Sequence, residues 1–131
     1  MLVDTSGLLC YFDVSDNRHS DAVEFFKAAR GRLTHSYVLA EFVALCQSRG
    51  LNRIRVLNFS ADLLDNPHVE VVWVDGTLHR SALTLLEERL DKTYSLCDAV
   101  SFVLMRECGI TEALTTDHHF EQEGLIRLLK P

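Results

Sequence analysis

No apolar run in the sequence approaches the ~20 residues that a bilayer crossing needs, so a membrane span is excluded. No basic leader precedes the apolar start Met1-Leu2-Val3; a secretory signal is not expected, and the cytoplasm is the expected compartment. Low-complexity tracts, internal repeats and long linkers are lacking as well, which excludes repeat arrays. The four cysteines, Cys10, Cys46, Cys97 and Cys108, form no C-x-x-C and no Cys/His zinc pattern. Each sits among apolar neighbours and reads as a reduced, buried thiol of the core. Basic charge is in short supply too, with 13 Lys and Arg against 19 Asp and Glu, a net charge of −6. That sign argues against ordinary phosphate binding. It does not argue against a site where acids hold divalent cations, because such a site turns a positive face to phosphate.

What is present suits one soluble domain: 131 residues, 47% hydrophobic and 24% charged. Met1 to Val3 reads as a short strand and Gly7 to Phe12 as a turn of helix, followed by a loop over 13–17. Ser20 is the expected cap of a helix to Arg30, which Gly31 stops. Leu33 to His35 reads as a strand, and Ser36 as the cap of a helix to about Ser48, broken by Gly50. Leu51 to Leu64 is expected to be helical, and Asn66-Pro67 a turn. Val69 to Val74 is rich in β-branched residues, as buried strands are. Helical spacing runs through Thr77 to Leu90. Leu96 to Glu107 is a further expected helix, ended by Gly109. Glu112 to Thr116 and Leu125 to Leu129 are the last strands. The alternation implies an α/β fold, a parallel sheet of about four to five strands wrapped in helices. In such sheets ligands bind beyond the carboxyl ends of the strands. Asp4 and Asp117 fall there.

Four carboxylates stand out for their apolar company. Asp4 ends the run MLV, and Glu41 is the only charge in 36-SYVLAEFVALC-46. Asp98 is the only charge in 93-TYSLCDAVSFVLM-105, and Asp117 closes 114-LTTD-117. Placed on buried faces, such groups cost several kcal/mol each unless paired, hydrogen-bonded or metal-bound. Each also has a local alternative. Asp4 could cap a helix, Asp98 could complete a capping box with Ser95, Glu41 could pair with an arginine, and Asp117 could terminate its strand. Read together, they suggest one shared site. An all-carboxylate set suits Mg²⁺ or Mn²⁺ rather than Zn²⁺. Such ions activate a water against a phosphodiester and neutralise the leaving oxygen. His118 and His119 are adjacent, so on an ordinary turn they diverge and do not both ligate one ion. They read as solvated turn residues or, as the lesser alternative, contacts to substrate phosphate, with Phe120 as the core anchor of the turn. Arg49, Arg53 and Arg55, or Arg89 and Lys92, are candidate contacts for RNA backbone or plain solvated surface.

Over essentially its whole length the sequence resembles the PIN-domain family, and within it the VapC-type toxins of bacterial toxin–antitoxin pairs. The resemblance rests on VDTSG with Asp4, AEFVAL with Glu41, SLCDAVSFVLMRECGI with Asp98, and ALTTDHHFE with Asp117. It implies a single three-layer α/β/α domain over residues 1–131 and a metal-dependent endoribonuclease. Asp4 and Asp98 would be the main ligands of Mg²⁺ or Mn²⁺, completed by Glu41 and Asp117 directly or through water. Ser6 would orient Asp4, and Thr115 would orient Asp117, from the outer shell. The implied partners are RNA, a small cognate antitoxin seated in an apolar groove between helices, and a second copy in a homodimer. A PIN nuclease of RNA processing or quality control, with no antitoxin, is the alternative. A phospho-signalling receiver fits poorly, since Asp4 has no acidic neighbour and the only late lysine is Lys130. A haloacid-dehalogenase-type phosphatase needs D-x-D after its first strand, where this chain has Asp4-Thr5-Ser6. A pure interaction protein on this scaffold would be expected to have lost some of the acids.

Overall fold

In the computed structural model, which describes residues 1–131, five parallel strands form one sheet in the order β3-β2-β1-β4-β5. The chain runs through β1 (Leu2–Val3), α1 (Thr5–Phe12), α2 (His19–Ala28), β2 (Leu33–His35), α3 (Ser36–Ser48) and α4 (Arg53–Asp65). It continues through β3 (Glu70–Val72), α5 (Gly76–Glu87), α6 (Leu96–Cys108), β4 (Glu112–Leu114), α7 (His119–Gln122) and β5 (Ile126–Arg127). Leu2 aligns with Leu33 on one side and with Ala113 on the other, and Val3 aligns with Leu114. Successive strand residues face opposite ways, and the two cores follow from that. Val3 and Leu114 join Leu8, Phe26, Val38 and Phe42 beneath α1 to α4. Leu2 and Ala113 join Ala82, Leu85, Phe102 and Met105 beneath α5 and α6. The three-layer α/β/α arrangement is the one expected.

From β1 the chain moves outward to β2 and β3, then crosses back to β4 on the other side of β1. The sheet's switch point therefore lies between the carboxyl ends of β1 and β4, where ligands bind in folds of this kind. Asp4 follows β1 directly, and Asp117 lies three residues past β4. Gly7 lets α1 sit flat on this edge. A Cβ at Gly7 would lie 1.9 Å from the Leu114 carbonyl oxygen.

Several local expectations are corrected. Ser20 lies inside α2, which starts without a side-chain cap after Arg18. The cap of α3 is His35, whose Nδ1 accepts from the Val38 N–H, while Ser36 Oγ accepts from Val74 N–H. Asn52 caps α4, so that helix begins after Leu51. α5 ends at Glu87, leaving Leu90 exposed. The last three strands are shorter than their β-branched runs suggest, because pairing stops where neighbours stop. The short helix α7 replaces the expected plain turn. Cys10, Cys46 and Cys97 are buried free thiols as expected, but Cys108 is exposed at the end of α6.

Candidate metal and active site

Asp4 stands at the N-cap position of α1, yet its carboxylate makes no capping bond there. Instead Oδ2 accepts 2.8 Å and 3.5 Å hydrogen bonds from the hydroxyls of Thr115 and Ser6. The protons have one consistent assignment. Thr115 Oγ1 gives its hydrogen to Asp4 and accepts from the Asp117 N–H at 3.0 Å. Ser6 lies 3.1 Å from Thr115 Oγ1, its proton free to point there, and accepts from the Thr116 N–H. With its one proton on Thr115, Ser6 supports Asp4 through the Thr115 hydroxyl, its own contact with the carboxylate being the longer one at 3.5 Å. Thr115 differs from expectation, for its hydroxyl holds the carboxylate of Asp4 and only the backbone of Asp117.

Asp98 completes the capping box expected of it as the local alternative. Its Oδ2 accepts from the Ser95 N–H at 3.1 Å while Ser95 Oγ accepts from the Asp98 N–H, a complete capping box. The same residue is 7% exposed and lies against His119, whose Nδ1 is 3.3 Å from Asp98 Oδ2. The box and the His119 contact both use Oδ2, and Oδ1 has no hydrogen-bond partner.

Burial drives the protonation behaviour. Asp4 is pushed up to about 7, first by desolvation and then by the charges of Asp98 and Glu41, against the Thr115 hydrogen bond. Asp98 is also raised, by burial first and by Asp117, with the Ser95 N–H and His119 opposing. The Cys97 thiol is raised by burial and by the charges of Glu41, Asp4 and Asp98, which surround it.

Glu41 departs from its expected burial. The buried positions of α3 are Val38, Phe42 and Cys46, and Glu41 is exposed beside them. No cation pairs with it, so the arginine alternative falls too. Glu41 nonetheless bears on Asp4 and Cys97 through its charge. It lies at the open side of the cleft rather than in its floor.

No lysine or arginine forms an ion pair with Asp4, Glu41, Asp98 or Asp117. Four mutually repelling carboxylates, two of them buried, without a guanidinium or ammonium partner are a donor set that fits a hard divalent cation. Of the candidate RNA contacts, Arg49 is exposed without a side-chain partner, and the other four have partners on the protein. Arg89 Nη2 binds Glu123 at 3.0 Å, Lys92 pairs with Asp91 at 3.3 Å, Arg53 bonds Gln47, and Arg55 lies over the Phe12 ring.

The histidines overturn the divergent-turn expectation. Asp117 Oδ1 accepts from the His119 N–H at 2.9 Å, which closes the turn into α7. His118 and His119 then lie with ring centroids 4.6 Å apart. Their ligand atoms and those of Asp117 all fall within 4.8 Å of one another. His118 is the solvated member, its side chain 65% exposed, whereas that of His119 is 17% exposed and reaches both Asp98 and Asp117 at 3.3 Å. His119 is the site residue that sequence reasoning missed. The available signal was its two-residue spacing from Asp117, which α7 folds back over the cleft. Phe120 is fully buried, as expected of an anchor.

A parallel sheet with acids gathered at its switch point defines the class: residues 1–123 match the PIN domain, and the chain belongs to the PIN-domain family. Among its relatives is the 23S rRNA-specific endonuclease VapC20 of Mycobacterium tuberculosis. In strains CDC 1551 / Oshkosh and ATCC 25618 / H37Rv alike it is 30% identical over 129 residues, spanning 98% of this chain and 97% of the relative. The crystal structure of M. tuberculosis VapC20, described as a sarcin-ricin loop cleaving toxin, superposes with a TM-score of 0.87 at 29% identity. That superposition covers 99% of this chain and 98% of the other.

Proposed function

We propose that this protein is an endoribonuclease of the VapC toxin type that hydrolyses RNA phosphodiester bonds with Mg²⁺ or Mn²⁺ held by Asp4, Asp98, Glu41 and Asp117. The observation that carries the reading is the pair Asp4 and Asp98, buried at the switch point with no lysine or arginine partner. Full-length similarity to a 23S rRNA-specific endonuclease supports it and makes ribosomal RNA the first substrate to test. When bound, the divalent ion lowers the pKa of a water and offsets charge growing on the leaving oxygen.

The chain's own residues set the geometry. Ser6 and Thr115 hold the Asp4 carboxylate in one orientation. The Ser95 N–H holds Asp98 through Oδ2 and leaves Oδ1 without a hydrogen-bond partner. Arg127 donates to the Thr116 carbonyl at 3.0 Å and pairs with Glu121 at 2.8 Å, which fixes the turn that carries Asp117. Glu41 is exposed at the edge of the site and would complete the ligand set directly or through a water.

The partners proposed are a small antitoxin and a second copy of the chain. α4 turns Ile54, Leu57 and Leu64 outward, and Val43, Leu51 and Val56 line an open groove between α3 and α4. This apolar face is the proposed seat of the antitoxin.

The deciding experiment is cleavage of an RNA panel that includes ribosomal RNA, with Mg²⁺, with Mn²⁺ and with chelator, beside Asp98→Asn. Asparagine keeps the shape and part of the cap but removes the charge. Metal-dependent cutting that disappears in a folded variant is expected. Full activity in Asp98→Asn would reduce Asp98 to a capping residue and move the active site elsewhere.

A further inference from the structure

One cluster of ligating atoms joins Asp117 to two histidines that the mechanism above does not use. We propose that Asp117, His118 and His119 form a nitrogen-bearing site for a first-row divalent transition ion, of the Co²⁺ or Zn²⁺ kind rather than Mg²⁺, which shares Asp117 with the carboxylate cleft. The proposal extends the nuclease reading, since it adds a metal position to the same site.

The geometry is close to closed. Two ligands on one ion at roughly 2.0–2.2 Å are separated by at most about 4.4 Å. Here the Asp117, His118 and His119 ligand atoms already lie within 4.8 Å of one another. His119 Nδ1 stands 3.3 Å from Asp117 Oδ2, and His118 Nδ1 stands 3.7 Å from Asp117 Oδ1. The His119 N–H bond to Asp117 Oδ1 ties the backbone of the turn, so little ordering remains for an ion to impose.

The surroundings of His119 are those of a supported ligand. Imidazoles on metals almost always present their second nitrogen to an outer partner, which fixes the tautomer. His119 Nε2 lies 3.1 Å from Thr93 Oγ1, which can accept an Nε2–H once an ion takes the place of the Nδ1 proton that otherwise faces Asp98 and Asp117. The ring is braced at 5.3 Å, near edge-on, by Tyr94, whose hydroxyl donates to Glu123 at 2.9 Å. His118 stays open to solvent, which provides the entry path, and a three-ligand set leaves positions for water or a phosphate oxygen. Imidazole nitrogen also decides the ion. It suits Co²⁺, Ni²⁺ and Zn²⁺, whereas Mg²⁺ keeps oxygen ligands and waters. Asp98 Oδ2, on the other side of His119 Nδ1, is near enough to join as a fourth donor.

The test titrates the metal-free full chain with Co²⁺ alone and reads visible d–d absorption together with paramagnetically shifted imidazole N–H resonances. Wild type, His118→Ala, His119→Gln and Asp4→Asn are compared, and RNA cutting with Mg²⁺ is measured in parallel. The expected result is one Co²⁺ with shifted imidazole resonances that a large excess of Mg²⁺ does not remove. Each histidine variant is expected to weaken Co²⁺ binding by more than the roughly 10–100-fold that loss of an outer-shell partner costs. Asp4→Asn is expected to keep the resonances. Absence of imidazole resonances, or Co²⁺ affinity unchanged in both histidine variants, would overturn the site. His118 is exposed, so its variant reports even if His119→Gln is unstable. Mg²⁺-dependent cutting without imidazole signals would sink this inference and leave the nuclease reading standing. Imidazole-bound Co²⁺ with no cutting under any ion would do the reverse.

Discussion

Asp4 and His35 are both buried ionisable residues, and they pull stability in opposite directions with pH. Asp4 has a folded pKa of about 7, above its ordinary value of 3.8. The folded state therefore holds a proton that the unfolded chain has released, and stability falls as pH rises from about 4 to about 7. Three units correspond to a contribution on the order of 4 kcal/mol. His35 is fully buried, and burial lowers it to about 4 from 6.5. Its Nδ1 accepts from the Val38 N–H, so Nε2 carries the hydrogen and donates to Ser101 Oγ at 2.9 Å. Protonating Nδ1 breaks the α3 cap. The unfolded chain takes up this proton first, so stability falls as pH drops from about 6.5 to about 4. The two effects offset each other in the wild type. In Asp4→Asn with chelator present, urea midpoints are expected to fall on acidification through that window; a flat profile would show that His35 is not held neutral. Above pH 7, Mg²⁺ or Mn²⁺ is expected to raise the wild-type midpoint and to do much less in Asp4→Asn.

At the scale of elements, two contacts set the cleft. Gly7 lies against the Leu114 carbonyl, and no side chain fits between α1 and β4. Gly7→Ala is expected to cost about 1–3 kcal/mol or more through forced displacement, read as a lowered denaturant midpoint. That displacement also moves Asp4 and Ser6, so residual cleavage by the folded fraction should drop as well. The second contact is Glu123. Its 6% exposed side chain accepts from Arg89, Tyr94 and, at 3.5 Å, Arg106, and so binds the end of α7 to the segment between α5 and α6. Glu123→Gln is expected to loosen residues 88–95 while the sheet holds. Hydrogen exchange localised to Thr93, Tyr94 and Ser95 would show it; exchange unchanged there would mean that the apolar packing of Tyr94 suffices.

At the scale of the whole molecule, the toxin reading predicts arrested growth when the chain is expressed without its antitoxin. Cells that carry abundant folded wild-type protein and grow normally would remove it. Light scattering on the purified chain is expected to give about twice the 14.9 kDa chain mass; a monomer would mean that the apolar face of α4 waits for the antitoxin alone. The amino-acid sequence by itself determined the α/β alternation, the parallel sheet and the positions of Asp4, Asp98 and Asp117, because these depend on local periodicity, glycine breaks and acids set among apolar residues. The cap at Asn52 was within reach of local reading, since it accepts from the N–H three residues on, whereas the shortened outer strands were decided by neighbours that no local pattern encodes. Glu41 shows the same limit, since an apolar helix segment does not reveal which of its faces a distant layer will cover. His119 shows it most clearly. Its place between Asp98 and Asp117 depends on α7 folding back against the start of α6, a contact between segments about twenty residues apart that only the packed tertiary structure brings together.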